Sequence, residues 1–297
     1  MGKAKAQHTA PQTYLRRFTA TPHKRRPEDK EIYVFDKVNG TVRKQKIKNV
    51  CYENHFYDYT ASDGALVSIE DYLRTAIEDA CKPALDAVCS DVTPRALALH
   101  QRVIARFAAA QLIRTTATRQ EHRNIADALD ELAMRAGKRP ECVPDSELTL
   151  EHIAHIVRRL PQIAEILAHK TWVLLKNATG TPFWTSDHPV VRHNPDDKRP
   201  HDIGILSPGV QIYLPISAEL TLYMHDPRPD AAFVAATIGA GDVRRLNALQ
   251  IMEPRRYVYA SADHFALAQD LVRAHPQLAD VDRPRLRLER VSLGIPT

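Results

Sequence analysis

The sequence predicts an α+β fold: a short N-terminal helix and β-hairpin, a central helical block, and a C-terminal, mainly antiparallel sheet with two helices. Three observations predict it. Apolar and polar residues alternate on both sides of an Asn39-Gly40 turn near the start. From residue 68 to about residue 170 the apolar residues recur with the period of a helix, and after that they recur at every second position. No linker or repeat divides the 297 residues, so we expect one compact domain. Its sub-regions are 1–60, 68–170 and 171–297.

The first sub-region begins with a helix and continues as a hairpin. Pro11 suits the first turn of a helix. The anchoring face behind it is formed by Tyr14, Leu15 and Phe18. From residue 31 to residue 47 the chain alternates on both sides of Asn39-Gly40, a dipeptide that favours a tight hairpin turn.

Helical periodicity dominates the central sub-region. Serine or threonine caps, and a proline in the first turn, mark where the helices begin. The expected helices are 68–89 with a kink at Pro83, 94 to about 136 as one long helix, and 149–160 with a resumption after Pro161.

Strands dominate the last sub-region. Residues 171–191 are typical of a hairpin about Thr179-Gly180, and VQIYLPI, LTLYMHD and RRYVYAS are typical of further strands. Helices are expected at 242–252 and 263–273. The end, from Asp282, alternates and is expected to form a strand or an extended tail.

Composition favours a soluble cytoplasmic protein. The four cysteines have no metal-ligand spacing, and Cys81 and Cys89 are too far apart along a helix for a disulfide. No apolar run is long enough to cross a membrane, so no membrane partner is expected. The net charge of +5 permits nucleic-acid contact without requiring it. The basic stretches at 23–30 and 42–48 fit either a solvated hairpin and loop or a patch that follows phosphates.

Three polar residues fall on helix faces that should be buried. Glu70 lies inside the apolar stripe of its helix, and Gln111 and Arg114 lie beside Phe107 on the next helix. A buried polar group must have a partner, because leaving it unpaired costs about 1–3 kcal/mol. Either a Glu70–Arg114 ion pair fixes the packing, or these groups line a polar cleft.

A second polar group surrounds the end of a predicted strand, in FWTSDHPVV. Pro189 ends the strand, which places Ser186 and Asp187 where catalytic carboxylates are common, although a simple Asx turn also fits. His188 is expected at the surface. Asn247 lies on a helix despite its poor helix propensity, so it needs a partner or a cap. Motifs for zinc proteases, P-loop NTPases, dinucleotide binding and nucleophile elbows are absent from the sequence.

The motif H-x-x-P-x-x-Y-L-x-x-F, which starts at His8, resembles the opening of the family called domain of unknown function 4238. The resemblance runs from about residue 7 to residue 261. It departs from the family at Gln7, where many members have a second histidine, which argues against a two-histidine metal site. Some members look like components of bacterial anti-phage defence. Other segments similar to the family contain Glu70 and Glu78, Gln111 and Arg114, Ser186, Asp187 and Pro189, YLPIS, and Asn247 to Gln250.

We expect these positions to converge on one site. The leading hypothesis is a hydrolase of a phosphate-bearing substrate, most simply nucleic acid, in which His8 is a general acid or base. Glu70 and Asp187 would act with it and hold Mg²⁺ or Mn²⁺, while Arg114 clamps a phosphate. The remaining expected substrate contacts are Tyr14, Gln111, Ser186 and Asn247.

Two other functions stay open at this point. One is an enzyme or sensor that binds a small nucleotide without a metal, through Arg114 and Asn247. The other is a non-catalytic interaction protein in which the buried polar residues are structural. The oligomeric state and the biological partner are not predicted by the sequence.

Overall fold

The computed structural model describes residues 6–61, 63–195, 204–227 and 234–283. It confirms the α+β class, with helices and antiparallel strands in the expected order. The helices are α1 (Gln12–Leu15), α2 (Glu70–Leu73), α3 (Asp79–Ser90), α4 (Pro94–Ile113), α5 (Thr116–Arg135), α6 (Asp145–Ala168), α7 (Ala240–Met252) and α8 (Ala266–Ala274). A π turn, Arg74–Glu78, joins α2 to α3.

The strands form two larger sheets and two small ribbons. They are β1 (Ala6–His8), β2 (Glu31–Asp36), β3 (Thr41–Lys46), β4 (Tyr52–Asn54), β5 (Asp58–Thr60), β6 (Leu66–Ser68), β7 (Thr171–Asn177), β8 (Thr185–Ser186), β9 (Val191–His193), β10 (Gln211–Pro215), β11 (Leu220–His225), β12 (Val234–Ile238) and β13 (Tyr257–Ala260). The sheet orders are β12-β7-β11-β10-β9 and β3-β2-β13-β8, and the ribbons are β1-β4 and β5-β6. Only the β7–β12 pair is parallel among the described strands.

The N-terminal hairpin is confirmed. β2 and β3 pair antiparallel, but Asp36 lies opposite Thr41, so the connection is a four-residue loop at 37–40 and not a two-residue turn. Gly40, with a φ of 65°, ends this loop, whereas Asn39 has no positive φ. Ile32, Val34 and Phe35 of β2 are buried. The opening helix is short, but the rings of Tyr14 and Phe18 pack edge to face in the core and hold the segment in place.

The expected long helix of residues 94 to about 136 is wrong, because the chain breaks it at Arg114 and Thr115. Arg114 leaves the α conformation, with φ −90° and ψ 1°. Thr115 then acts as the N-cap of α5, and its side chain accepts a hydrogen bond from the Thr118 amide. Threonine is more favourable at an N-cap than in the interior of a helix. The cap at Thr115 therefore starts a second helix in place of one continuous helix.

Two further predictions are corrected. α6 begins at Asp145 and continues through Pro161 without a break. Residues 171–191 do not form a hairpin, because β7 pairs with β11 and β12 while β8 pairs with β13 in the other sheet. The helices expected at 242–252 and 263–273 are confirmed as α7 and α8. The expected C-terminal strand or tail lies outside the described residues from position 284 onward.

The main hydrophobic core draws on all three predicted sub-regions. It includes Tyr14 from the first, Leu73 and Phe107 from the helical block, and Leu222 and Tyr259 from the sheets. α4 lies at its centre and packs against α3 and α6. That a single domain spans the whole chain stays a prediction. None of the helices described is long and apolar enough to cross a membrane.

Candidate functional site

Arg114 joins four separate parts of the chain at the break between α4 and α5. Its side chain is fully buried. Nη1 donates to Glu78 Oε1 at 2.7 Å, and Nη2 donates to the backbone oxygen of His8 at 2.6 Å. Nε donates to the hydroxyl of Tyr57 at 2.9 Å, and that hydroxyl donates in turn to the Arg114 carbonyl at 3.0 Å. Each guanidinium nitrogen therefore has a protein partner, so the expected open phosphate clamp is corrected to an internal cross-link.

The ion-pair partner of Arg114 is Glu78 and not Glu70. In an α-helix the eight residues from Glu70 to Glu78 make about 2.2 turns, which separates the two side chains by roughly 80°. The π turn at Arg74–Glu78 has i→i+5 bonds and therefore more residues per turn. The eight-residue spacing thus comes closer to two whole turns, and both carboxylates turn toward Arg114.

Several buried polar atoms near this ion pair have no hydrogen-bond partner among the described residues. They include His8 Nε2, Glu70 Oε2 and both polar atoms of the Gln111 amide. Gln111 lies one turn before Arg114 on α4, and the charges of Arg114 and Glu78 act on both His8 and Glu70. Arg16 Nε is a further atom of this kind, and the Arg16 charge also acts on His8. We call these residues, His8, Arg16, Glu70, Glu78, Gln111 and Arg114, the polar cluster.

His8 and Glu70 each carry an unpartnered buried atom, although His8 also has a hydrogen bond with the Lys48 backbone, and both groups have shifted pKa values. Burial lowers the pKa of His8 from its usual value. Burial raises the pKa of Glu70 to about 7, and the like charge of Glu78 adds to this effect while Arg114 opposes it. At neutral pH, His8 is therefore neutral and Glu70 is partly protonated. Both residues are partly exposed, although His8 Nε2 and Glu70 Oε2 themselves are buried.

Gln7 holds its neighbour His8 in the polar cluster. Its amide donates to Asp58 Oδ1 at 2.6 Å and to Ser68 Oγ at 3.2 Å, and it accepts from the Tyr57 amide at 2.5 Å. These bonds fasten β1 to the β5–β6 ribbon, directly before Glu70. A glutamine serves here because it donates and accepts at once. Gln7 therefore has a structural role in this chain.

Asp187 does not join the polar cluster. Its Oδ1 accepts from the Arg255 amide at 3.0 Å, and its Oδ2 accepts from the Arg256 and Tyr257 amides at 2.8 and 2.9 Å. Both oxygens thus hold the start of β13 in place. No group of three or more His, Cys, Asp or Glu side chains in the described ranges is arranged to hold a metal ion. A shared Glu70–Asp187 metal site therefore has no support in the geometry.

The remaining expected contacts are also used within the protein. The Tyr14 hydroxyl lies 2.7 Å from Thr185 Oγ1 and donates to the Pro215 carbonyl at 2.7 Å. Ser186 Oγ donates to Gln250 Oε1 at 2.6 Å. Asn247 accepts from the Trp184 amide and donates to the Pro182 carbonyl, which supplies the partner that a helical asparagine needs. His188, expected at the surface, is buried with Nδ1 2.7 Å from Thr115 Oγ1.

Four of the expected site residues lie in the polar cluster: His8, Glu70, Gln111 and Arg114. Tyr57 and Arg16 were missed. Tyr57 lies in the aromatic stretch HFYDY, which reads as an ordinary turn, and Arg16 follows the anchoring face of the first helix with no pattern to distinguish it from Arg17.

Four of the eight lysines and arginines in the basic stretches at 23–30 and 42–48 form ion pairs with carboxylates. Lys24 and Lys44 lie 2.8 and 3.7 Å from Glu31, and Lys46 lies 3.1 Å from Asp29. Exposed pairs of this kind contribute little to stability, but they reduce the local positive charge. The solvated-hairpin interpretation therefore fits this surface better than a dedicated phosphate patch.

The comparisons with known proteins give a family but no activity. Among curated proteins, no match to this chain is found. Among solved structures, no match is found either. Residues 6–264 match the family model described as "Protein of unknown function (DUF4238)", a range that contains the whole polar cluster. The chain therefore belongs to the DUF4238 family.

Proposed function

We propose that this protein hydrolyses a phosphate-bearing substrate, with nucleic acid as the leading substrate class, and that the polar cluster is its active site. The observation that carries the proposal is the set of unpartnered buried atoms on His8, Glu70 and Gln111. Leaving such atoms unpaired costs about 1–3 kcal/mol each, and a bound substrate or water would satisfy them.

The pKa shifts support a division of labour between His8 and Glu70. Pairs of groups whose surroundings push their pKa values in opposite directions are typical of acid–base catalysis. Neutral His8 takes a proton from the attacking water as the new P–O bond forms. Protonated Glu70 gives a proton to the leaving oxygen as the old P–O bond breaks. The proton on His8 then returns to Glu70 through solvent, which restores both residues.

A phosphate is the favoured substrate group because two guanidinium groups stand beside His8. The charges of Arg114 and Arg16 both act on that imidazole. Arg114 is held in place by Glu78 and Tyr57, so it supplies a fixed positive field and positions the His8 backbone. Arg16 is only half-buried and has an unpartnered Nε among the described residues, so it is the better candidate for direct contact with an anion.

The experiment measures cleavage of single- and double-stranded DNA and RNA by His8→Asn and Glu70→Gln variants, with and without Mg²⁺ or Mn²⁺. Each variant is expected to lose about 100-fold or more in rate, as is typical for removal of a general acid or base. The exposed residues His23 and Glu131 provide the matched controls His23→Asn and Glu131→Gln, which should keep full activity. Circular dichroism verifies that each variant folds.

The pH dependence distinguishes the proposed roles. Activity should rise as His8 loses its proton and should fall above about pH 7 as Glu70 loses its own. Equal cleavage by both active-site variants and the wild type would overturn the proposal. A protein with no cleavage in which Glu70→Gln lowers only stability would instead be the non-catalytic interaction protein. A role in anti-phage defence, proposed from the family resemblance, is tested by infecting cells that carry the His8→Asn variant.

A further inference from the structure

A second site, separate from the polar cluster, lies at the start of α5. A cavity of about 220 Å³ opens there. Three arginines line it, and we call it the arginine cleft: Arg119 and Arg123 on α5, and Arg255 before β13. Thr116, Gln120 and Glu53 are also in its lining.

Arg119 is a largely buried cation without a carboxylate partner in the described part of the chain. Its Nε donates to His152 Nδ1 at 3.2 Å, and its Nη2 donates to the Phe56 carbonyl. Both partners are neutral, since His152 Nε2 donates to the Ile113 carbonyl at 2.8 Å and burial keeps that imidazole uncharged. The guanidinium lies over the Phe56 ring, 3.5 Å from its centroid. No hydrogen-bonded carboxylate neutralises this guanidinium within the described residues, although the Glu53 charge also acts on it.

The other two arginines have partners that an incoming anion can replace. Arg123 pairs with Asp145, whose side chain is 84% exposed. Arg255 lies 3.1 Å from Asp282, whose side chain is 66% exposed, and 3.4 Å from the Gln120 amide oxygen. Exposed ion pairs are weak, so exchanging a carboxylate for a more highly charged phosphate costs little.

Glu53 and Asp145 are the two acidic residues in the lining that oppose an anion, and of these Asp145 is the exposed partner of Arg123. Burial raises the pKa of Glu53, which favours the neutral form, although the Arg255 and Arg119 charges act against this shift. Once protonated, the carboxyl group becomes a hydrogen-bond donor, which suits a phosphate oxygen. The cleft also lies at the N-terminus of a 20-residue helix, whose dipole adds partial positive charge at that end.

We propose that the arginine cleft binds a phosphate group. Guanidinium groups bind phosphate through paired hydrogen bonds, and a 220 Å³ cavity accommodates one such group with part of the molecule attached to it. The site does not depend on the catalytic role of His8 and Glu70, because none of its lining residues belongs to the polar cluster. A phosphate bound here would contact α5 and β4, because Glu53 lies on β4, where it pairs with Gln7 of β1.

The test is titration calorimetry of the full chain with inorganic phosphate, AMP and adenosine. Phosphate and AMP should bind, and adenosine should not. Arg123→Gln should weaken phosphate binding at least about tenfold, since it removes a charged donor pair. Arg102→Gln is the matched control, because Arg102 is an exposed arginine that pairs with Glu165 and lies outside the cleft. Tighter binding of AMP than of phosphate would identify a nucleotide as the source of the group, and equal affinity would identify free phosphate.

Arg123 is suitable for this test because it is partly exposed and its loss leaves the buried Arg119 in place. Arg119→Gln then gives a second measurement, accepted only if its circular dichroism and melting temperature show a folded protein. Equal phosphate affinity in the wild type and Arg123→Gln would overturn the proposal, as would AMP and adenosine binding equally well. If the protein shows no cleavage activity but binds phosphate as expected, the proposed function of the polar cluster fails and the proposed phosphate site does not.

Discussion

Asp187 shows how a carboxylate that suggests catalysis in the sequence can be structural in the fold. Its two oxygens accept three backbone hydrogen bonds from residues 255–257, close to seventy positions further along the chain. A carboxylate that accepts from three part-buried amides contributes more to stability than neutral hydrogen bonds do. The residue therefore fastens the start of β13 to the end of β8.

We expect Asp187→Asn to lower the free energy of unfolding by about 2–4 kcal/mol, because asparagine has one acceptor oxygen and would point an N–H group at a backbone N–H. Urea denaturation measures this change. Asp263→Asn is the control, since Asp263 is exposed, and it should alter stability by less than about 0.5 kcal/mol. An Asp187→Asn protein with wild-type stability but no activity would return this residue to a catalytic role.

The buried positions of the site could be predicted, but their partners could not. Helical periodicity correctly placed Gln111 and Arg114 on a buried face, and both are fully buried. The Glu70–Arg114 pair was expected from a regular helix, whereas the π turn selects Glu78. A helical wheel assumes one constant angle per residue, so it cannot show a local change of helix type.

At the scale of elements, α5 and α6 enclose three histidines whose rings touch. The His122 ring centroid lies 4.9 Å from that of His155 and 5.7 Å from that of His152. Burial lowers the pKa of His155 to about 4 and that of His152 to about 3, and the nearby charges of Arg159 and Arg119 add to these shifts. Glu151 acts in the opposite direction on His122. The cluster therefore resists protonation.

Because these pKa values are lower in the folded than in the unfolded chain, the stabilisation is fully present above about pH 6.5 and is lost as the pH falls toward 4. We expect the free energy of unfolding to drop by about 2 kcal/mol between pH 7.5 and pH 5, about half of the linkage value for two histidines, since His155 is partly exposed. Urea denaturation at both pH values measures it. Between these two pH values the His122→Gln/His155→Gln double variant should lose clearly less free energy of unfolding than the wild type. The exposed control His169→Gln should lose as much as the wild type.

Local sequence is enough to predict some of the helices and strands but not others. The β2–β3 hairpin was predicted because Asn39-Gly40 marks the position of the turn, although Asp36 also holds the four-residue loop through the Val38 amide and the Asn39 side chain. The break between α4 and α5 was not, because Thr115 and Thr116 read equally well as helix interior or as a cap. What decides it is tertiary: Thr115 also contacts His188, and Arg114 bonds to residues from three other segments.

At the scale of the whole molecule, one hydroxyl connects the N-terminal segment to both larger sheets. Tyr14 bonds to Thr185 on β8 of the four-stranded sheet and to Pro215 at the end of β10 in the five-stranded sheet. The sequence could not show this arrangement, since residues 171–191 read as one hairpin while the chain divides them between two sheets. Strand order depends on contacts between distant residues, which local alternation does not encode.

We expect Tyr14→Phe to lower the free energy of unfolding by about 1–3 kcal/mol, because it leaves the buried Thr185 hydroxyl and Pro215 carbonyl without this partner. Tyr33→Phe is the matched control and should change stability little, since its hydroxyl has no hydrogen bond within the described residues. Calorimetry should give one transition for both proteins if the chain is a single domain. Two separated transitions in Tyr14→Phe would show that the sheets unfold independently.

The π turn also makes the polar cluster depend on the number of residues in the chain. A segment with i→i+5 bonds holds extra residues compared with an α-helix of the same number of turns. Deleting one residue from 74–78 would let the segment relax into an ordinary helix with its backbone bonds complete. About seven residues at roughly 100° each would then separate Glu70 from Glu78, about 20° short of two turns, so Glu78 would still face Arg114. One added residue would instead turn Glu78 by about 80–100° and leave the buried Arg114 without its counter-charge. The site therefore limits an increase in length at this point and not a decrease.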